Sequence, residues 1–199
     1  FKVNNSFTFC YNGGNFTEAV SMHTKVKNLC YIALFAALIA VCTWITVPGA
    51  VPFTMQTFAV MAAVGLLGMQ RGLASVALYL ALGCVGLPVF SGFRGGIGVL
   101  AGTTGGYLVG FLFAALVTGL LLRAFGDGVV SLFLSMCAGV AVCYLFGTVW
   151  FYVLAVSGGG DTAFLAIMAK CVFPFIPFDL LKMALATLLV RRLKKVLIL

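Results

Sequence analysis

The chain has 199 residues, of which 63% are apolar and 8% charged, with a mean hydropathy of +1.21. An ordinary soluble domain carries roughly 25% charged residues, and a body this small leaves much of its surface in water, so a soluble globule is excluded and lipid is the solvent for most of the chain. Twelve Lys/Arg against four acids give a net charge of +8. The basic residues sit at the ends of apolar runs, where membrane orientation is decided, so this excess is no sign of nucleic-acid binding.

A membrane-crossing helix needs about 20 apolar residues, which leaves room for about five to seven spans and no separate soluble domain. The alternating polar-inward pattern of a membrane β-barrel is absent. The sequence therefore reads as an all-α polytopic membrane protein. Residues 1–21 are polar and irregular, whereas Met22 is followed by Lys25, Lys27 and then an apolar run. The expectation is that 1–21 is a non-native or disordered leader and 22–199 a single transmembrane domain. The leader is too poor in apolar residues to be a signal peptide.

Six spans are predicted from there, over Leu29–Val47, Pro52–Met69, Gly72–Phe90, Gly102–Leu122, Val129–Val156 and Phe178–Ile198. The apolar stretch Thr162–Ile176 is expected to lie at the interface or to re-enter. With the N-terminus inside, Lys25, Lys27, Arg71, Arg123, Arg191, Arg192, Lys194 and Lys195 all fall on the cytoplasmic side, while Arg94 and Lys170 fall in outer loops and Lys182 near an outer span end. The positive-inside rule then puts both termini in the cytoplasm.

The exceptions to that rule are the candidates for function, because an ionisable residue at membrane depth is costly and faces a cavity or a partner. Arg94 lies in a glycine-rich connection with Gly92, Gly95, Gly96 and Gly98. It lacks the GxxxxGK[ST] pattern of a phosphate loop, so the chain carries no ATP site of that kind and no strand is expected there. The four glycines are read either as a tight loop bringing backbone N–H groups to a ligand or as plain turn formers. Arg94 suits a carboxylate clamp, its alternative being a lipid phosphate. Asp179 and Lys182, three apart, share a helix face. Asp179 could be a helix N-cap and Lys182 its neutralising partner, yet together they set an acceptor beside a donor, which fits the edge of a cyclic urea or amide. These three residues, at the outer ends of spans, could converge on one externally open pocket. Gln56 and Tyr144 are weaker pocket candidates.

Gly102, Gly106 and Gly110 recur every four residues, the spacing of close helix packing. Ala33/Ala37 and Ala36/Ala40 repeat it on the first span, as internal packing or as a docking face for a membrane subunit. Trp44, Trp150 and Tyr152 are read as interfacial belt ahead of pocket residues. The seven cysteines contain no CxxC pair, and Cys30, Cys42, Cys84, Cys137 and Cys143 lie in apolar runs as packing residues, so neither a disulfide framework nor a metal site is indicated. His23 is the single histidine and lies outside the spans. An intramembrane enzyme would need a nucleophile–base pair or a metal cluster, and the spans offer neither, so the chain is not expected to be an enzyme.

The run Gly-Leu-Pro-Val-Phe-Ser-Gly-Phe-Arg-Gly-Gly from Gly86 and Gly102-Thr-Thr-Gly-Gly-Tyr-Leu-Val-Gly110 resemble the BioY family, the biotin-specific substrate-binding (S) components of energy-coupling factor (ECF) transporters. Tyr144-Leu-Phe-Gly147-Thr-Val-Trp150 and Pro177-Phe-Asp-Leu-Leu-Lys182 are similar to its fifth- and sixth-helix segments. Thr103 stands where that family has Pro, which alters loop stiffness more than chemistry. The resemblance covers Met22 to the C-terminus. It implies a six-helix S-component fold with an outward-facing site, no ATPase and no cofactor. Biotin would be the transported ligand, and the partners a transmembrane coupling (T) subunit and two ABC-type ATPases in a prokaryotic cell membrane. By match, Arg94 would take the biotin carboxylate, Asp179 with Lys182 the ureido edge, and Ala33/Ala37 the docking element. The loops Pro48–Thr54 and Ser91–Leu100 would close over the ligand. The alternatives are an S component for another vitamin and a non-transport membrane scaffold.

Overall fold

The computed structural model describes residues 13–48, 51–157 and 164–196. Residues 1–12 of the predicted leader, 49–50 of the first closing loop, 162–163 of the predicted interfacial stretch and 197–198 of the last predicted span lie outside the described residues. The chain is helical almost throughout. In order come α1 (Gly13–Trp44), the two-residue strands β1 (Thr46–Val47) and β2 (Phe53–Thr54), α2 (Gln56–Cys84), α3 (Ile97–Ala101), α4 (Gly105–Phe125), α5 (Val129–Ser157), α6 (Phe164–Cys171) and α7 (Ile176–Val196). Residues 13–21 of the predicted leader form the first turns of α1.

Local chemistry sets where the helices stop. The first span was expected to reach Val47 but α1 ends at Trp44. Pro48 disfavours helical backbone at the preceding residue, and β-branched Ile45–Val47 suits extended chain. The freed segment pairs antiparallel with the residues before α2, Thr46 opposite Thr54 and Val47 opposite Phe53, a short ladder where helix was expected. The same rule shortens the third predicted span: α2 ends at Cys84, ahead of Gly86 and Pro88, leaving Phe90 in a loop.

Gly68 breaks α2. Its φ of 79° and ψ of 175° are open to glycine and strained for other residues. A Cβ built on Gly72 would lie 2.7 Å from the Val64 Cα, so residues four on either side of Gly68 touch and the chain turns back on itself. The first arm is the centre of the bundle. Every residue from Ala59 to Leu67 is buried and all are apolar or glycine, as a helix hydrophobic on all sides must be.

Around it, α1, α4 and α7 pack on α2, and α4 packs most extensively on α5. Glycine makes that last contact possible. A Cβ at Gly106 would overlap Trp150, one at Gly147 would overlap Tyr107, one at Gly139 would overlap Thr118, and one at Gly110 would sit 3.1 Å from the Cys143 Sγ. Of the predicted packing triplet, Gly106 and Gly110 face α5, whereas Gly102 abuts its own loop and accepts a hydrogen bond from the Trp150 Nε1 at 3.1 Å. The outer surface carries Leu34, Leu134, Leu145, Val153, Leu185 and Leu188 exposed, an apolar shell suited to lipid.

Among the described residues, four helical segments are long and apolar enough to cross a membrane: Thr24–Trp44, Gln56–Cys84, Gly105–Phe125 and Val129–Ser157. Two predicted spans lie within the reversed α2. The last predicted span, α7, carries Asp179, Lys182 and four basic residues near its end, which lowers its apolar content below the other four.

Candidate functional site

One end of the bundle is closed by two loops laced to each other. Trp44, at the end of α1, donates from Nε1 to the Pro88 carbonyl at 3.0 Å and stacks on Phe93, with ring centroids 5.2 Å apart. Thr46 in β1 and Ser91 share a hydroxyl hydrogen bond of 2.9 Å. The Arg94 loop is a tight turn closed by the Phe90 N–H donating to the Arg94 carbonyl at 2.9 Å, with Phe93 at φ 56°. Phe90 itself is buried edge-on against Tyr79. The Gly96 N–H donates to the Gly83 carbonyl at 2.7 Å, and a Cβ at Gly95 would overlap the Leu87 carbonyl. Gly95 and Gly96 thus press the loop onto the end of α2. None of Gly92, Gly95, Gly96 and Gly98 lines the cavity beneath, which the loop reaches through Phe90, Ser91, Arg94 and Val99.

That cavity, of about 80 Å³, brings together Arg94, Gln56, Tyr144, Asp179 and Lys182. Four separate elements deliver them: the loop before α3, the start of α2, the middle of α5 and the first turns of α7. Lys182 and Asp179 form an ion pair of 2.8 Å with side chains only 6% and 7% exposed. Each charge is further satisfied. Asp179 accepts from the Thr57 hydroxyl at 3.1 Å and from the Tyr144 hydroxyl. Lys182 donates to the Thr54 carbonyl at 2.6 Å and to the Thr57 hydroxyl at 3.3 Å, and its ammonium lies 3.8 Å from the centre of the Phe53 ring. Two buried charges are tolerated when paired and hydrogen-bonded in this way. The N-cap alternative for Asp179 does not hold, since α7 begins three residues earlier, at Ile176.

The other two polar side chains are less engaged. Gln56 is buried, and its side-chain Nε2 has no partner among the described residues. An unsatisfied buried donor costs about 1–3 kcal/mol. Arg94 is exposed at the cavity mouth, and its guanidinium makes one bond, from Nε to the Ser91 carbonyl at 3.2 Å. The remaining donors of its fork face no protein acceptor among the described residues.

Several lining residues were not singled out from sequence. Thr57 bridges the ion pair, Thr54 offers its carbonyl, and Phe53 stacks on Phe175 at 5.7 Å and meets Phe178 edge-on at 5.3 Å. Cys143, Tyr107 and Phe111 form the apolar wall. The polar pair Gln56-Thr57 inside an apolar run was the one local signal. Cys171 and Phe175 also line the cavity, so the short α6 and the turn after it contribute to the site. Trp44, Trp150 and Tyr152 do not line it. Trp44 instead braces the Arg94 loop.

A protein-family model described as "BioY family" matches residues 17–198. The chain belongs to the BioY family. A relative named "Biotin transporter BioY" in Thermotoga maritima is 40% identical over 173 residues, covering 85% of this chain and 97% of the relative. Another of that name in Rhodobacter capsulatus is 37% identical over 174 residues, covering 83% and 92%. A crystal structure of the S-component for biotin from an ECF-type ABC transporter superposes with a TM-score of 0.78 at 31% identity, over 87% of this chain and 93% of that one. This BioY family member is a multi-pass helical membrane protein of a transporter family, with an S-component-like fold. The family match begins at residue 17, ahead of Met22.

Proposed function

We propose that this protein captures biotin and, as the S component of an ECF transporter, delivers it to the cytoplasm. The observation that carries the reading is the composition of the cavity beneath the Arg94 loop. A buried acceptor–donor pair, Asp179 and Lys182, stands beside the unsatisfied amide of Gln56, apolar walls surround them, and an arginine with unused donors lies at the mouth. Biotin presents matching parts: a ureido ring with N–H and C=O on one edge, an apolar thiophane, and a carboxylate at the end of a chain. The ureido edge meets Asp179, Lys182 and Gln56, and the carboxylate meets Arg94 bidentately. Tyr144 orients the Asp179 carboxylate. Closure of the Arg94 loop and the β1–β2 hairpin excludes water, which strengthens each polar contact.

The transmembrane arrangement follows from the same features. Six spans result when α2 is counted as two arms turned at Gly68 and α7 is admitted, its charged first turns facing the cavity instead of lipid. Arg71, Arg123 and Lys194 gather at the opposite end of the bundle from Arg94, which supports cytoplasmic termini by the positive-inside rule. The relatives come from prokaryotes, which supports a prokaryotic cell membrane. No catalytic step is assigned to this chain: a T subunit and two ABC-type ATPases supply the energy. The T subunit docks on α1, where Ala33 and Ala37 are exposed beside Leu34 and Leu38 while Ala36 and Ala40 are buried against the bundle.

Calorimetric titration of the purified protein with biotin, beside Arg94→Ala and Asp179→Ala, tests the assignment. Tight binding in wild type and its loss in both variants is expected. Binding that survives both substitutions places the ligand elsewhere. An absence of binding by folded wild type, with a response to another vitamin, overturns biotin but keeps the family.

A further inference from the structure

A second cavity, of about 430 Å³, lies at the end of the bundle remote from the Arg94 loop. Its walls are the turn of α2 (Gly68, Met69, Gln70, Arg71), the end of α4 (Gly119, Leu122, Arg123), the following turn (Gly126, Asp127) and Lys194 of α7. Three cations and one acid line it. The acid is already engaged, with Lys194 Nζ 2.6 Å from the Asp127 Oδ2 and Arg191 Nη1 donating to the Asp127 carbonyl at 3.5 Å. Arg71 and Arg123 have no carboxylate partner among the described residues. Arg123 is favoured in the last turn of α4 by the helix dipole, but the half-buried Arg71 stands in the first turn of the second arm of α2, where the dipole disfavours a cation. Two uncompensated guanidinium forks on one cavity form an anion site, and the planar fork selects phosphate oxygens. Exposed apolar side chains, Leu120 and Phe125, flank the cavity at the end of α4, and on the proposed orientation the site lies at the level of the cytoplasmic headgroup layer.

We propose that this cavity holds the phosphate of an anionic phospholipid headgroup, clamped by Arg71 and Arg123, with the acyl chains on the exposed apolar surface beside Leu120 and Phe125. A free phosphate would share the arginines but has no use for that surface. Occupancy ties the α2 turn to the ends of α4 and α7, and basic pockets between helices at a membrane surface recognise anionic lipids by this chemistry.

Native mass spectrometry of the full chain, released from micelles carrying phosphatidylglycerol, phosphatidylcholine or inorganic phosphate, tests it. The expected result is retention of phosphatidylglycerol over phosphatidylcholine. Arg71→Gln/Arg123→Gln should bind phosphatidylglycerol about thirtyfold more weakly, and Arg71→Lys/Arg123→Lys, which keeps the charge but not the planar fork, should recover only part of that loss. Lys25→Gln/Lys27→Gln, which removes the same charge elsewhere, should leave it within about threefold of wild type. An equal loss in the lysine-to-glutamine control overturns the site, as does wild-type retention by the arginine-to-glutamine pair. Saturation by inorganic phosphate with displacement of the lipid overturns the headgroup in favour of the free anion. Thermal melting of each variant establishes folding. If the glutamine pair does not fold, the wild-type preference must collapse at high salt, and its persistence there overturns the clamp.

Discussion

Asp179→Asn is nearly isosteric, yet it leaves the Lys182 ammonium, 6% exposed, without its counter-ion. The neighbours that remain are the Thr54 carbonyl, the Thr57 hydroxyl and the face of Phe53, all neutral. Removing one member of a buried pair costs about 3–5 kcal/mol, because the desolvation of the survivor is no longer offset. The asparagine oxygen can still accept from Lys182, which places the change at the lower end, about 3 kcal/mol. For a chain of this length that is a fall in melting temperature of roughly 6–12 °C. The companion variant Asp179→Asn/Lys182→Met removes both charges and fills the volume, so it should recover most of the loss, since an apolar replacement of a whole buried pair is often neutral or stabilising. Thermal melting in detergent without ligand reads both. A single variant within about 2 °C of wild type, or a double variant no more stable than the single, would refute the picture of a desolvated pair whose members hold each other in place.

Gln56→Leu removes the unsatisfied Nε2, so the ligand-free protein should melt higher, by the equivalent of about 1 kcal/mol, while biotin affinity falls about tenfold or more; a variant that is neither more stable nor weaker in binding would show that this amide is idle. Gly106→Leu should destabilise the α4–α5 contact by more than about 2 kcal/mol, since a Cβ there overlaps the rigid Trp150, whereas the same change at exposed Gly98, where a Cβ meets nothing within 4 Å, should shift melting little; equal losses at both sites would contradict the packing assigned to α4 and α5. Ala33→Leu/Ala37→Leu should leave biotin binding in detergent unchanged and abolish uptake of radiolabelled biotin by cells, and full uptake would remove α1 as the docking face. Trp44→Ala should release the Arg94 loop from the hairpin side and speed biotin dissociation with little change in association, as read by stopped-flow tryptophan-independent displacement of labelled biotin.

Composition alone determines that this chain is solvated by lipid, because 63% apolar residues cannot be hidden in so small a body. Local order determines where α1 and α2 stop, since Pro48, Gly86 and Pro88 act through their own backbones. It also isolates Arg94, Asp179 and Lys182 as charges too costly to leave in an apolar setting without a purpose. What sequence does not carry is partnership at a distance. Thr57 looks like any threonine in an apolar run until α2 and α7 are packed and its hydroxyl lies against Asp179, 122 residues away in the chain. The same packing puts Tyr144 on the carboxylate, leaves the Gln56 amide unpaired, and sets Gly95 and Gly96 under the loop instead of beside the cavity. It also turns Ala36 and Ala40 inward and leaves Ala33 and Ala37 facing out, a division that the four-residue spacing makes equally available to either pair. Periodicity along a helix is a local property, but the direction of its face, and so the identity of a residue's partner, is decided by the helices that pack against it.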